Sequence, residues 1–249
     1  MPTYASIDQG NTATKLTVWR DSEPIGRLAA KTLSAAAIEA ELARHGHIDA
    51  GIYCSVGRRD AAHLDVLRAA CGTVVELSHS TPLPIELHYS TPHTLGLDRI
   101  AAAAGAVAAY PGQRCLVVDI GTAVTYDVAG PDAAFHGGNI APGAGMRLRA
   151  LHAYTARLPE VDVDGELPAW GSDTATAMRC GALRGIAGEV GYYRGLLPTD
   201  TVVVLTGGRA DTIAPLLERP AVVDHDLVGK GLISILRHSL GATQHIKDN

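Results

Sequence analysis

Two short runs of residues in this 249-residue chain have the make-up of phosphate-holding turns. The first is Asp8-Gln9-Gly10-Asn11-Thr12-Ala13-Thr14-Lys15, and the second is Asp119-Ile120-Gly121-Thr122-Ala123-Val124-Thr125. Each follows a short apolar run (Tyr4–Ile7; Cys115–Val118) and precedes another extended stretch (Leu16–Trp19; Tyr126–Ala129). Both therefore predict strand, tight Gly turn, strand, because Gly reaches backbone angles that other residues avoid. Main-chain N–H groups in such a turn, helped by Asn11, Thr12 or Thr122, can hold phosphate oxygens. The strand-end carboxylates Asp8 and Asp119 can hold a cation, directly or through water. Lys15 faces opposite to Thr14 by strand alternation, where an ammonium either neutralises phosphate charge or is simply solvated. One such turn opens many hairpins. Two of them point to related lobes with a nucleotide between them and to ATP-dependent phosphoryl transfer.

Gly96-Leu97-Asp98-Arg99 opens an Ala-rich stretch. Asp98 at a helix start is either a favourable dipole partner or a carboxylate that takes the proton of a hydroxyl acceptor. Arg99, about 100° further round the helix, could hold an anionic group of the substrate. Gly137-Gly138-Asn139-Ile140-Ala141-Pro142-Gly143-Ala144-Gly145 must form a tight loop ahead of a helix. It reads either as a plain connection or as a close backbone approach to a ligand. Leu205-Thr206-Gly207-Gly208 ends an apolar strand in two glycines, a surface suited to adenine or ribose.

The elements that must position these residues alternate. The first half predicts strands Tyr4–Asp8, Thr14–Arg20 and Pro24–Ala30, helix Ser34–His45, strand Ala50–Ser55, helix Arg59–Cys71 and strand Thr73–Leu77. Thr81-Pro82-Leu83-Pro84 interrupts regular structure before Tyr89, and a helix then runs from Leu95 to Tyr110. The second half predicts strands Cys115–Asp119, Ala123–Val128 and Ala134–Ile140, then helices Gly145–Thr155 and Thr174–Leu196. Strand Thr201–Leu205, helix Asp211–Glu218, a short strand and helix Leu227–Leu240 complete it. The class is α/β, with two ribonuclease-H-like lobes over 1–112 and 113–249 and a nucleotide cleft between them.

Composition excludes several alternatives. A formal charge of −5 with no basic block gives no reason to expect nucleic acid. The most apolar window, Ile100–Tyr110, is far shorter than the ~20 residues a bilayer span needs. No signal peptide is visible, and the expected location is cytoplasmic. The cysteines Cys54, Cys71, Cys115 and Cys180 form no Cys-x-x-Cys pair, so they read as buried structural thiols. The helix from Ile100 to Ala109 has almost no polar face and must be covered. Either the rest of the chain buries it, or a two-fold contact through it or through the Thr174–Leu196 helix covers it, and the second predicts a homodimer.

Taken together the motifs closely resemble the type III pantothenate kinases, within the acetate and sugar kinase, heat-shock ATPase and actin superfamily. The resemblance rests on Asp8-x-Gly10-Asn11-Thr12-x-x-Lys15, Gly96-x-Asp98-Arg99, Asp119-x-Gly121-Thr122-Ala123-x-Thr125, Gly137-Gly138-x-Ile140-x-Pro142-Gly143 and Leu205-Thr206-Gly207-Gly208, in family order. It implies phosphorylation of the primary hydroxyl of pantothenate by ATP, the first committed step of coenzyme A synthesis. It further implies Asp98 as general base and Tyr89, Gly96, Leu97, Asp98, Arg99 and Thr174 as pantothenate positions. Asp8, Gly10, Asn11, Thr12, Lys15, Thr122, Gly207 and Gly208 would serve ATP, with Asp8 near magnesium. Asp119 would serve a monovalent cation, potassium or ammonium, and the family implies a homodimer. Two other readings share the fold: a kinase for another small hydroxylated acid, and a regulatory accessory relative with little turnover.

Overall fold

In the computed structural model the chain runs β1 (Thr3–Gln9), β2 (Thr14–Arg20), β3 (Glu23–Ala30), α1 (Ala35–Ala43), β4 (Ile48–Ser55), α2 (Ala61–Ala70), β5 (Cys71–Glu76), β6 (Glu86–Leu87) and α3 (Leu97–Ala109). It continues as β7 (Cys115–Ile120), β8 (Ala123–Ala129), β9 (Ala134–Pro142), α4 (Ala144–Ala153), α5 (Thr174–Gly195), β10 (Val202–Thr206), α6 (Ala210–Ile213), β11 (Val222–Val223) and α7 (Leu227–Lys247). The structure describes residues 1–57 and 59–247, the last five as backbone alone.

One sheet is ordered β3-β2-β1-β4-β5 and the other β11-β10-β7-β8-β9-β6. β1 pairs antiparallel with β2 and parallel with β4, and β7 pairs antiparallel with β8 and parallel with β10. The same five-strand pattern therefore occurs twice, as the repeated turn requires. Local chemistry accounts for the helix starts. Ser34 caps α1 by accepting from the Ala37 N–H at 3.2 Å. Asp173 and Thr176 form a reciprocal capping box at α5, with Thr176 N donating to Asp173 Oδ1 at 2.9 Å.

Two compact units result. The first comprises 1–112, 131–136 and 226–249, and the second 113–130 and 137–225. Each has its own core: Ile7, Leu16, Val18, Ile38, Ile48 and Leu64 in the first, Val118, Val124, Leu183, Ile186 and Leu205 in the second. A break falls at 112/113, but α7 departs from the expected 113–249 lobe because it packs on α3 in the first unit. The two helices approach so closely that a Cβ at Gly231 would stand 1.7 Å from Ala101 O, and one at Gly105 2.2 Å from Leu227 O. This packing corrects one expectation. The apolar α3 needs no second copy to cover it, since α7 buries Ile100 through Ala106 within the chain.

Smaller departures have local causes. β6 spans two residues, too few for a periodic signal, and pairs in parallel with the first residues of β9. α6 stops at Ile213 and gives way to a tight turn at Ala214–Leu216, because Pro215 cannot continue the helix. No helix among the described residues is long and apolar enough to cross a membrane.

Candidate functional site

In the first unit, β1 and β2 place Asp8 directly opposite Lys15, on one face of the ladder. The turn between them is closed by Gly10 N donating to Ala13 O at 3.0 Å. Asn11, Thr12 and Lys15 are exposed while Thr14 is buried, as alternation predicts. Gln9 accepts a hydrogen bond from the Tyr53 hydroxyl, and its N-terminal neighbour Asp8 lies in register with Cys54 of β4.

Asp98 reaches this turn electrostatically from the second position of α3. Burial pushes the Asp8 carboxyl up to about 6; Lys15 pulls it down and Asp98 pushes it further up. Burial, with the charges of Asp8 and Asp98, likewise raises the Cys54 thiol. Two carboxylates thus share a partly dry site with one ammonium beside them. Such a site is short of positive charge, and a divalent cation bound with nucleotide phosphates fits that deficit.

The Asp98 carboxylate turns back to accept from the Arg99 N–H at 2.9 Å. Gly96 makes this possible, because a Cβ there would stand 2.5 Å from Asp98 Oδ1. Arg99 is 5% exposed, and its guanidinium lies 6.0 Å from the Tyr89 ring centroid and 5.5 Å from that of Phe135. Tyr89 and Phe135 meet edge to face at 5.8 Å. Phe135 is fully buried, a core residue that supports Arg99 and Tyr89, and the sequence gives no sign of that contact. Leu97 and Gly96 are half-buried at the head of α3.

In the second unit, Gly121 N donates to Ala123 O at 2.9 Å and leaves Gly121 and Thr122 exposed. The Gly-rich loop folds onto this turn: Gly143 N donates to Thr122 O at 3.0 Å, and a Cβ at Gly143 would stand 2.3 Å from Gly121 O. Gly207 closes the other side at φ 85°, where a side chain would be strained, and its Cβ would fall 2.3 Å from Asp119 Oδ1. Gly208 is exposed with nothing within 4 Å of an added Cβ, an open stretch of main chain. Asp119 is half-buried at the end of β7, and its carboxylate oxygen could serve a cation there. Thr174 is exposed at the first position of α5.

A part-buried network behind the Gly-rich loop escaped the sequence reading. Arg147 donates from Nε to Pro142 O at 2.7 Å and from its other end to Glu189 at 2.6 Å. The Tyr126 hydroxyl donates to the same Glu189 oxygen at 2.5 Å. Burial alone would raise Glu189, but Arg147 and Tyr126 hold it below the usual range. The network ties the loop to β8 and α5. Arg147 and Glu189 lie 42 residues apart, so no sequence spacing announces them.

Comparison with known proteins bears on this arrangement. The profile of the type III pantothenate kinase family matches residues 6–194. A type III pantothenate kinase from Phocaeicola vulgatus is 38% identical over 236 residues, covering 94% of this chain and 97% of its own. Among solved structures, a Campylobacter jejuni protein assigned to the Baf family of transcriptional activators aligns with a TM-score of 0.63 at 20% identity, covering 95% and 99% of the two chains. The activator of 2-hydroxyisocaproyl-CoA dehydratase from Clostridium difficile, solved with bound ADPNP, aligns at 0.59 and 12% identity over 97% of each chain. At those identities the structural likeness shows the fold, that of the actin-like ATPases.

Proposed function

The chain belongs to the type III pantothenate kinase family, and we propose on that basis that it phosphorylates pantothenate with ATP, the entry step to coenzyme A, with Asp98 as its base. The observation that carries the catalytic assignment is the Asp98 carboxylate, held at the head of α3 beside Asp8 and Lys15. Asp98 orients the primary hydroxyl of pantothenate and accepts its proton as the oxygen attacks the γ-phosphorus; the bond from phosphorus to the ADP oxygen breaks in line. Lys15 offsets negative charge on the transferring group, and Gly10, Asn11, Thr12 and Thr122 are assigned to the ATP phosphates. Gly207 and Gly208 give adenine or ribose an open main-chain surface. Tyr89, Gly96, Leu97, Arg99 and Thr174 are assigned to pantothenate; for Arg99, its place over the Tyr89 ring supports a role in shaping that pocket. Asp8 would hold magnesium, which supplies charge neutralisation at the phosphates when bound.

The direct test is purified protein with ATP, magnesium and pantothenate, set against a panel of sugars and short hydroxy acids. Turnover confined to another acid would replace the substrate, and nucleotide binding without turnover would favour the accessory reading. We place the enzyme in the cytoplasm, where ATP is supplied.

Gly96→Ala isolates the positioning of the base. The added methyl forces Asp98 Oδ1 off its present place, and displacement of about 1 Å costs on the order of ten- to a hundredfold in rate. Turnover should fall by that much with the melting temperature nearly unchanged. Unaltered turnover would show that the present carboxylate position is not the working one.

For the cation, Asp119 is assigned to potassium or ammonium. Exchange of potassium for sodium should lower the activity of the native enzyme severalfold and matter much less in Asp119→Asn. Activity indifferent to the monovalent ion from the start would instead leave Asp119 to magnesium through water.

We also expect a homodimer, now through the second unit. Tyr192 and Leu196, each 65% exposed at the end of α5, leave an apolar surface uncovered. Light scattering should give twice the chain mass of 25.9 kDa. A fully active monomer would remove this expectation.

A further inference from the structure

β6 and the start of β9 run parallel, with Glu86 opposite Ala134 and Leu87 opposite Phe135. His88 N donates to Phe135 O at 2.9 Å, which carries the register one step further. It brings the rings of His88 and His136 edge to face, with centroids 4.9 Å apart. The turn ahead of β9 adds a carboxylate. Ala133 sits at φ 56°, and this left-handed step turns Asp132 back along the strand. Asp132 Oδ1 and Oδ2 lie 2.9 and 3.0 Å from His136 Nε2. One ligand atom from each of His88, Asp132 and His136 falls within 4.8 Å of the others, and all three residues are exposed. A further carboxylate stands by, with Glu86 Oε2 3.2 Å from His88 Nε2.

We propose that His88, Asp132 and His136 form a binding site for a zinc-class divalent ion, with Glu86 or water in the fourth position. Two imidazoles and a carboxylate suit a borderline ion such as Zn2+, Co2+ or Ni2+ and disfavour Mg2+ and Ca2+, which take all-oxygen sets. Tetrahedral zinc with bonds of about 2.0–2.1 Å places its donors roughly 3.4 Å apart. Asp132 and His136, at 2.9 and 3.0 Å, have to part by a few tenths of an ångström and give up the proton between them as the ion enters, and the His88 ring has to close. The backbone does the positioning, through a register that main-chain hydrogen bonds set and a turn that needs an unusual φ. The site uses none of the residues assigned to ATP or pantothenate, so it stands or falls apart from the kinase reading. A surface pair of histidine and carboxylate with no metal affinity is the ordinary alternative.

The test is calorimetric titration of the whole protein with zinc chloride in excess magnesium, paired with a cobalt(II) titration followed by visible absorption. Expected are one-to-one saturable zinc binding that magnesium does not compete away and the intense visible band of tetrahedral cobalt. His88→Gln and His136→Gln should each weaken binding by at least about tenfold and remove the cobalt band. Both variants should keep native turnover in metal-chelated buffer with magnesium restored, which shows them folded. Absence of saturable zinc binding would overturn the site. Zinc binding undiminished in both variants would overturn it equally, by assigning the ion to other histidines.

Discussion

Asp98→Asn should lower turnover about a hundredfold or more while leaving ATP binding nearly unchanged, a loss of roughly 2.7 kcal/mol of transition-state stabilisation. The substitution keeps the shape at the head of α3, and an Asn oxygen can still accept from the Arg99 N–H as the carboxylate does at 2.9 Å. What disappears is the negative charge that orients the hydroxyl and accepts its proton. Steady-state kinetics with a parallel titration of a non-hydrolysable ATP analogue separates the two effects. Near-native turnover would strip Asp98 of its assignment, and a matching loss of analogue binding would move it to the nucleotide.

Asp8→Asn should abolish most activity and yet stabilise the ligand-free protein. Burial raises the folded-state carboxyl from 3.8 to about 6. The fold therefore prefers the protonated acid, and the ionised form is a liability above that value. The sign follows directly: this group's contribution to stability improves as pH falls from above 6 towards 4, then levels off below the unfolded value. A shift of two units corresponds to at most about 3 kcal/mol, and partial solvent contact reduces that to roughly 1–2 kcal/mol. Asp8→Asn removes the liability, so its melting temperature at pH 8 should exceed that of the native protein by about 2–8 °C. The gap should close near pH 4. A variant that melts lower at pH 8 would contradict the buried, charge-crowded site on which the cation assignment rests. The gain in stability matched by a loss of function is what a preorganised charged site predicts.

Much of this was written locally. Asp8, Gly10 and Lys15, and again Asp119, Gly121 and Thr122, announce a strand, a turn and a strand, because Gly and period-two alternation act over a few residues. The order of the same motifs along the chain carried the family, and their repetition carried two similar sheets. Asp173 and Thr176 capped α5 for the same short-range reason, although only the structure showed the reciprocal bond.

Other properties depend on which distant surfaces meet. The apolar sides of α3 said that it must be covered, and hydrophobicity, being non-directional, did not say by what. The answer, α7, lies more than a hundred residues away, and only the structure shows that Gly105 and Gly231 are the glycines at which the two backbones meet. Gly96 looked like a substrate-loop position; its place against Asp98 shows that it clears room for the base. The raised Asp8 carboxyl, the Arg147–Glu189–Tyr126 brace and the two-residue β6 likewise arise from burial and pairing between separate segments. Residue types and their spacing determined the chemistry available to this chain. Long-range packing decided how dry, how crowded and how firmly held each of those groups would be.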